Sequence, residues 1–287
     1  MIRFLACLSL IALLGACDAA PEEAQPVPPG DFVSPAEVGC ESLYLGLEDI
    51  SHMGPGAGIG GRVLGANCEP LGDFKVLSCT AESCVPTDTL EDGSWYLSGI
   101  MNELPRKIRV VGVTHGHYDA LFYLEIKPNE LAVPSKNVIL APLSDYIALD
   151  AAAGGVALMA EGQLEVTIGP EALKYPLGHF TSDLSAQRVS TDLVGPFDIA
   201  PWEGRDGAMA FIFDPYDLSV DPENPATLAI DVADHAAVGT VYDIWSAETY
   251  SAHVVPSGTA TVGEDGVIRS DADAPIISLQ TLVLVPQ

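Results

Sequence analysis

The sequence predicts an all-β protein with two β-sandwich domains. Short apolar runs recur along most of its 287 residues, and Gly, Asp, Asn and Pro residues that favour turns separate them. No long stretch shows helical periodicity, since the alanine-rich run 148–153 ends at two glycines. Hydrophobic residues make up 48% of the chain, which is enough apolar material for two cores of ordinary domain size.

Residues 1–16 are predicted to be a signal peptide. A short positive segment with Arg3 precedes an uncharged apolar run from Phe4 to Ala16. This run is shorter than the ~20 residues that span a bilayer, but it suits the core of a signal peptide. It ends in Leu14-Gly15-Ala16-Cys17, which resembles the lipobox of bacterial lipoprotein precursors. The resemblance implies cleavage before Cys17 and lipid on its thiol, which would anchor the protein in the bilayer.

Two alternatives remain open for this leader. An ordinary signal peptidase could cut near Ala16 and leave Cys17 as an incidental thiol, or Cys7 could be the lipid acceptor, although little hydrophobic core would precede it. Asp18 follows Cys17, and an acid there retains lipoproteins at the inner membrane of some Gram-negative bacteria. The sequence therefore predicts export to the periplasmic or cell-surface side, with inner and outer membrane both open.

Residues 17–57 are predicted to form a tether between the lipid and the folded part. Five prolines and several acids lie between Asp18 and Val38, without strand or helix periodicity. This composition favours an extended spacer of ~3.1 Å per residue. In residues 40–50, alternating leucines indicate a possible edge strand.

Residues 58–148 are predicted to form the first sandwich. The expected strands contain Gly61–Leu64, Phe74–Leu77, Trp95–Leu97, Ile108–Val111, Leu121–Ile126 and Val138–Leu140. Three segments, Ile59–Gly65, Glu69–Val76 and Leu90–Ile100, resemble in order and spacing the motifs of carboxypeptidase regulatory-like domains. The resemblance covers about residues 58–143 and implies a transthyretin-like sandwich with an accessory role. It does not imply peptidase chemistry, because the zinc ligands of carboxypeptidases lie in a different domain.

Residues 149–287 are predicted to form the second sandwich. The expected strand segments are Leu164–Ile168, Phe197–Pro201, Ala210–Pro215, Thr240–Trp245, Gly258–Val262, Glu264–Ile268 and Leu279–Val285. The fifth and sixth of these should pair as a hairpin. This half more distantly resembles the β-sandwich module shared by ankyrins and netrin receptors, which implies a role in protein contacts.

The charge of the chain is strongly negative. There are 12 basic and 40 acidic residues, so the net charge is −28, which disfavours binding to nucleic acid or to anionic lipid surfaces. Solubility, adaptation to a salty habitat and calcium binding could each explain the acids, and their scatter favours the first two. The acidic loop Asp214–Asn224 is the candidate calcium site, with the oxygen ligands Asp214, Asp217, Asp221, Glu223 and Asn224.

Apart from Cys7 and Cys17, the sequence contains four cysteines, which are Cys40, Cys68, Cys79 and Cys84. An even number of cysteines in an exported chain predicts two disulfides, with three possible pairings. We expect Cys79–Cys84, because the four polar residues between them suit a hairpin loop, and therefore Cys40–Cys68. A zinc site made by all four thiolates is the alternative, and its spacing is poor.

Two motifs suggest chemistry that their surroundings do not support. The sequence His115-Gly116-His117-Tyr118-Asp119 resembles the start of the metallo-β-lactamase HxHxDH motif, but Ala120 replaces its final histidine. Residues 56–61 fit GxGxxG, but no strand precedes them and no helix follows, so they are expected to form a flexible lead into the first strand.

The function predicted from these features is non-enzymatic, with no catalytic residue, metal or cofactor. An envelope lipoprotein would display its sandwiches to an unidentified envelope protein or polysaccharide. A carbohydrate-binding lipoprotein is the alternative, with Trp95, Trp202 and Trp245 as possible stacking residues. A metal-dependent hydrolase using His115 and His117 is the third possibility. An exposed, coplanar row of aromatics would favour sugar binding, and an open metal pocket would favour the hydrolase.

Overall fold

The prediction of an all-β fold is confirmed. A computed structural model describes residues 40, 57–80, 83–100, 106–127, 131–175, 183–197, 200–231, 236–248 and 253–287. These residues contain twenty β-strands and three short 3₁₀ turns, and no helix among them is long and apolar enough to cross a membrane. The predicted leader, Cys17, most of the tether and the possible edge strand after Cys40 lie outside the described residues.

The strands of the first half are β1 (Ala57–Gly65), β2 (Lys75–Cys79), β3 (Cys84–Asp88), β4 (Ser94–Ile100), β5 (Arg106–Val111), β6 (Ala120–Leu124), β7 (Leu131–Ala132) and β8 (Val138–Leu140). Those that follow are β9 (Ile147–Ala148), β10 (Gly155–Met159), β11 (Leu164–Ile168), β12 (Leu173–Lys174), β13 (Asp183–Val189), β14 (Met209–Asp214), β15 (Ser219–Val220), β16 (Thr227–Asp231), β17 (Val241–Ala247), β18 (Val254–Val262), β19 (Val267–Ser270) and β20 (Thr281–Pro286). The 3₁₀ turns are Val113–His115, Ala160–Gly162 and Thr191–Leu193.

Two four-stranded sheets form the first sandwich. One is antiparallel in the order β3-β2-β5-β6, and in the other β1 pairs antiparallel with β4 and parallel with β7 and then β8. Strand β5 alternates between buried and partly exposed residues, as a strand with one face on a core must. The core between the sheets includes Ile59, Val63, Phe74, Val76, Trp95, Ile108, Val110, Phe122, Leu124, Val138 and Leu140.

The expected flexible lead before the first strand is wrong, because β1 already begins at Ala57. Its glycines make room for the aromatic rings of β4. A Cβ at Gly61 would lie 3.0 Å from the ring of Trp95, and one at Gly58 would lie 2.8 Å from the hydroxyl of Tyr96. The glycine pattern therefore reflects close packing of two strands.

One ten-stranded sheet builds most of the second half, and it curls so that its opposite parts form the two layers of the second sandwich. Ten strands pair antiparallel in the order β10-β11-β16-β19-β18-β17-β20-β14-β13-β9, while β12 and β15 pair beside them. Because the twist of so many strands makes a sheet curl, β10 at one end contacts β13 near the other. The sheet thus encloses a core that includes Leu164, Val166, Ile168, Leu184, Phe211, Phe213, Leu228, Ile230, Ile244, Ile268, Leu282 and Leu284.

A loop between β13 and β14 covers part of the outer face of this sheet. Phe197 and Trp202 from the loop pack on Ala210, Val283 and Val285 as a separate apolar cluster. A strand was expected at 197–201, but the described residues of this segment form none. The apolar run instead covers strand residues that would otherwise be exposed.

The predicted tight turn at Asp92-Gly93 is present and explains why glycine stands there. Gly93 has φ +76°, which favours glycine, and a Cβ at this position would lie only 2.3 Å from the carbonyl oxygen of Val63. The carboxylate of Asp92 accepts a hydrogen bond from the amide of Ser94 at 2.9 Å and so closes the turn. This turn positions β4 against β1.

Gly93→Ala should destabilise the protein by about 1–3 kcal/mol more than Gly266→Ala, as measured by urea unfolding. Gly266 is a matched control, because its φ is +79° and no atom would lie within 4 Å of an added Cβ. Both variants introduce the same backbone strain, but only Gly93→Ala introduces a clash. Equal losses in the two variants would contradict this account.

Candidate binding cleft between the two sandwiches

An ion pair on the outer face of the first sandwich joins it to the second half of the chain. The Nε and Nη2 atoms of Arg109 donate to Oδ2 of Asp119 at 2.7 and 2.6 Å. The other oxygen of Asp119 accepts hydrogen bonds from the amides of Gly112 and Val113. The guanidinium carbon of Arg109 lies 3.2 Å from the ring centroid of Tyr216, which belongs to the second half.

This arrangement determines the role of the His-Gly-His-Tyr-Asp segment. The ring of His115 stacks on Phe74 with centroids 4.3 Å apart, and the ring of His117 meets Phe74 edge-on at 5.5 Å. Asp119 is committed to Arg109 and to backbone amides. No group of three or more His, Cys, Asp or Glu side chains in the described part of the chain is arranged to hold a metal ion. The described contacts of the segment thus join it to Phe74, Arg109 and backbone amides.

Hydroxyl groups make a second set of contacts across the junction. The buried Oη of Tyr118 lies 2.5 Å from Oγ of Ser144 and 2.6 Å from Oγ of Ser185 on β13. Nearby, Oη of Tyr146 donates to a carboxylate oxygen of Asp214 at 2.7 Å. Burial raises the pKa of both tyrosines, and for Tyr146 the hydrogen bond to Asp214 and its charge raise the pKa further. Both phenols therefore stay protonated and can donate.

Lys107 and Asp217 lie on either side of the same junction. Burial lowers the pKa of the Lys107 ammonium and raises that of the Asp217 carboxyl, while the charge of each opposes the shift of the other. Burial thus makes both charges costly, and their mutual attraction offsets part of that cost.

The carboxylates of the acidic loop Asp214–Asn224 contact different partners. Asp214 accepts the hydrogen bond from Tyr146, whereas Asp221 accepts one from the amide of Glu223 at 3.0 Å and lies 3.7 Å from the ammonium of Lys174. These oxygens are committed to different partners, so they do not form one shared set of ligands.

Calcium should therefore leave the melting temperature unchanged within about 1 °C, compared with magnesium at equal ionic strength. The measurement is a thermal melt in each salt and in chelator. Magnesium controls for general screening of the acidic surface. A rise of about 5 °C that is specific to calcium and lost in Asp221→Asn would contradict this prediction.

Both expected disulfides are present. Cys79 and Cys84 face each other at the end of the β2–β3 hairpin with Cα atoms 4.0 Å apart. Cys40 and Cys68 are bonded with Cα atoms 5.1 Å apart. None of these four sulfur atoms is a thiolate, so the alternative of a four-thiolate zinc site is wrong.

The three tryptophans do not form an exposed row. Trp95 is 1% exposed in the core of the first sandwich, and Trp202 is 4% exposed in the cluster outside the second sheet. Trp245 is partly buried against that same outer cluster. A flat stacking surface made of these side chains is therefore absent.

A cleft of about 640 Å³ lies between the two halves. The first half contributes Ala66 and the segment 135–139, and the second contributes the 3₁₀ turn at 191–193 and the turns at 200–206. The carbonyl oxygen of Asp192 accepts a hydrogen bond from Nζ of Lys136 at 3.1 Å, which connects the two walls.

Local sequence explains the shape of each wall. In the second half, Oγ of Ser190 accepts from the amide of Asp192 and caps the 3₁₀ turn. In the first, Asn137 is 3% exposed, and its Nδ2 donates to the carbonyl oxygen of Cys40. The Cys40–Cys68 disulfide therefore supports the wall that carries Asn137.

The lining of the cleft contains partly buried apolar residues, which we call the floor, and mostly exposed charged residues, which we call the rim. Ile139, Leu193 and Ala200 line the floor, and Phe197 and Trp202 lie among them in an edge-to-face pair with centroids 6.1 Å apart. The charged residues at the rim are Lys136, Asp192, Glu203, Arg205 and Asp206. The sequence alone did not indicate this site, because its residues come from segments that are distant in the chain and share no motif.

Asp119→Ala should destabilise the protein by about 3–5 kcal/mol in urea unfolding, because it leaves the half-buried Arg109 and two amides without their partner. The side chain of Asp119 is only 2% exposed. Asp88→Ala is the control, since the Lys75–Asp88 pair is more than half exposed on both sides and should contribute about 1 kcal/mol or less. A loss at Asp119 no larger than that at Asp88 would show that the ion pair does not hold this junction.

Comparison with known proteins gives distant structural likenesses only. No family model and no curated protein matches the sequence. One similar structure is the Bacillus anthracis TIE protein, at 10% identity and TM-score 0.28, covering 81% of this chain and 48% of that one. A DUF3823 family protein from Parabacteroides merdae has 10% identity and TM-score 0.24, covering 81% of this chain and 98% of its own. BcpA, the major pilin subunit of Bacillus cereus, has 9% identity and TM-score 0.24, and the match covers 79% of this chain and 87% of BcpA. This chain thus spans about half the length of the TIE protein.

Proposed function

We propose that the protein is a non-enzymatic lipoprotein of the bacterial envelope. Lipid on Cys17 holds it to the membrane on the periplasmic or cell-surface side, and the β-sandwiches serve as interaction modules for an envelope protein or polysaccharide. The observation that carries the proposal is the pair of disulfides in the folded part. Structural disulfides form and persist in oxidising compartments, which is where a lipobox directs a chain.

The interaction role also rests on how the candidate catalytic groups are used. Asp119 holds Arg109 and two backbone amides, while His115 and His117 pack around Phe74. These contacts support a structural role for the segment. The proposal assigns no catalytic residue and no cofactor.

The relationship of the first sandwich to carboxypeptidase regulatory-like domains is part of the proposal. Its three motif segments fall on β1, on the approach to β2, and on the Asp92-Gly93 turn that leads into β4. Each segment thus occupies a place where strand pairing or a tight turn requires its residues. An accessory, partner-binding module is the role that this relationship supports.

Mass spectrometry of the protein purified from a bacterial host tests the anchor. The mature chain should begin at Cys17 and carry a diacylglyceryl group, because the lipobox cysteine is the acceptor. Cys17→Ser should remove the lipid and shift the protein out of the membrane fraction. Cys7→Ser is the matched control and should change neither, whereas an unmodified terminus or one that begins elsewhere would rule out the anchor.

A further inference from the structure

We infer that the cleft between the two sandwiches binds a short neutral saccharide. The inference rests on the proposed role as an interaction module and names the chemical class of the partner and its site. The features of the molecule that favour a saccharide are the apolar floor, the charged rim and the support of the cleft walls.

The dimensions of the cleft suit a small ligand. Its volume of about 640 Å³ lies within the ~300–1,000 Å³ typical of small-molecule sites, which also favour the junction between domains. The apolar floor at Ile139, Leu193 and Ala200 offers a surface for the C–H face of a sugar ring. Trp202 and Phe197 back this floor as a packed pair.

The rim supplies partners for hydroxyl groups. Asp192, Glu203 and Asp206 are acceptors, whereas Lys136 and Arg205 are donors. A hydroxyl both donates and accepts, so neighbouring hydroxyls of one sugar ring can bond to groups of either kind. Hydrogen bonds to charged groups are the stronger ones, which favours a polyol over an apolar ligand.

The mixture of charges argues for a neutral ligand. A polyanion would meet three acids at the rim and a chain whose net charge is −28. A strongly cationic ligand would have to lie next to the positive charges of Lys136 and Arg205, which would repel it. A neutral polyol brings no charge whose burial would need a partner.

The cleft is supported before any ligand arrives. Lys136 bonds across it to the carbonyl oxygen of Asp192, and the buried Asn137 bonds to the carbonyl oxygen of Cys40, which is itself held to Cys68. Walls fixed in this way lose little conformational entropy when a ligand binds.

The experiment is isothermal titration of the full mature lipoprotein in a detergent without a sugar headgroup. The probes are maltotriose, cellotriose, tri-N-acetylchitotriose and mannotriose, which are all neutral, each tested separately. At least one should bind with a dissociation constant in about the micromolar to millimolar range. Ala66→Trp, which fills the cleft from its exposed wall, should weaken that binding at least about tenfold, a loss of about 1.4 kcal/mol.

Ala237→Trp is the matched control, because Ala237 is also exposed but lies in a turn that is not part of the cleft. It should leave affinity unchanged, and urea unfolding should show both variants folded. Arg205→Ala gives a second, less bulky test and should also weaken binding. Loss of affinity in both cleft variants and not in the control supports the assignment.

Three results would overturn it: no probe binds, binding is equal in Ala66→Trp and the wild type, or an equimolar mixture of unstructured heptapeptides occupies the cleft instead. Any of these with lipid present on Cys17 overturns the saccharide site alone. Saccharide binding by a protein without lipid on Cys17 overturns the anchor alone.

Discussion

The buried carboxylate of Asp119 is the constraint on which the arrangement of the two sandwiches depends. One oxygen fixes the turn that follows β5, and the other holds the guanidinium of Arg109 against Tyr216 of the second half. A carboxylate that is 98% removed from solvent is stable only if it keeps all of these partners. The junction is therefore specified by a few polar groups in addition to apolar contact.

Because basic residues are scarce, their positions decide where salt bridges form. In a chain with 40 acidic and 12 basic residues, an acid is near almost every position, so the place of a salt bridge is decided by where the base stands. Lys75, Lys174 and Arg269 form ion pairs at the surface, and Arg62, itself mostly buried, pairs with the exposed carboxylate of Asp92. Pairs of this kind contribute little. Arg109 differs from these four, because its partner Asp119 is buried. Lys136 and Arg205 are likewise notable, because they place two hydrogen-bond donors among the acidic residues of the cleft.

Local patterns in the sequence predicted the local features of the fold. The alternating runs, the Asp92-Gly93 turn and the short hairpin between Cys79 and Cys84 each depend on neighbours within about ten residues, and the structure contains them. The features that the sequence did not reveal depend on distant residues. The glycines of β1 looked like a loop because their reason, the rings of Trp95 and Tyr96, lies more than thirty residues away. The pairing of ten strands in one sheet and the cleft also depend on residues that are distant in the sequence.

The position of Cys40 connects the proposed anchor with the proposed site. Cys40 itself lines the cleft and accepts a hydrogen bond from Asn137 at its carbonyl oxygen, so the first described residue of the chain lies at the wall of the proposed site. If lipid on Cys17 anchors the chain, as proposed, a ligand in the cleft binds beside the residue to which the tether leads. This favours a partner that is fixed in the envelope and lies within reach of the tether, and a polysaccharide of the envelope meets that condition.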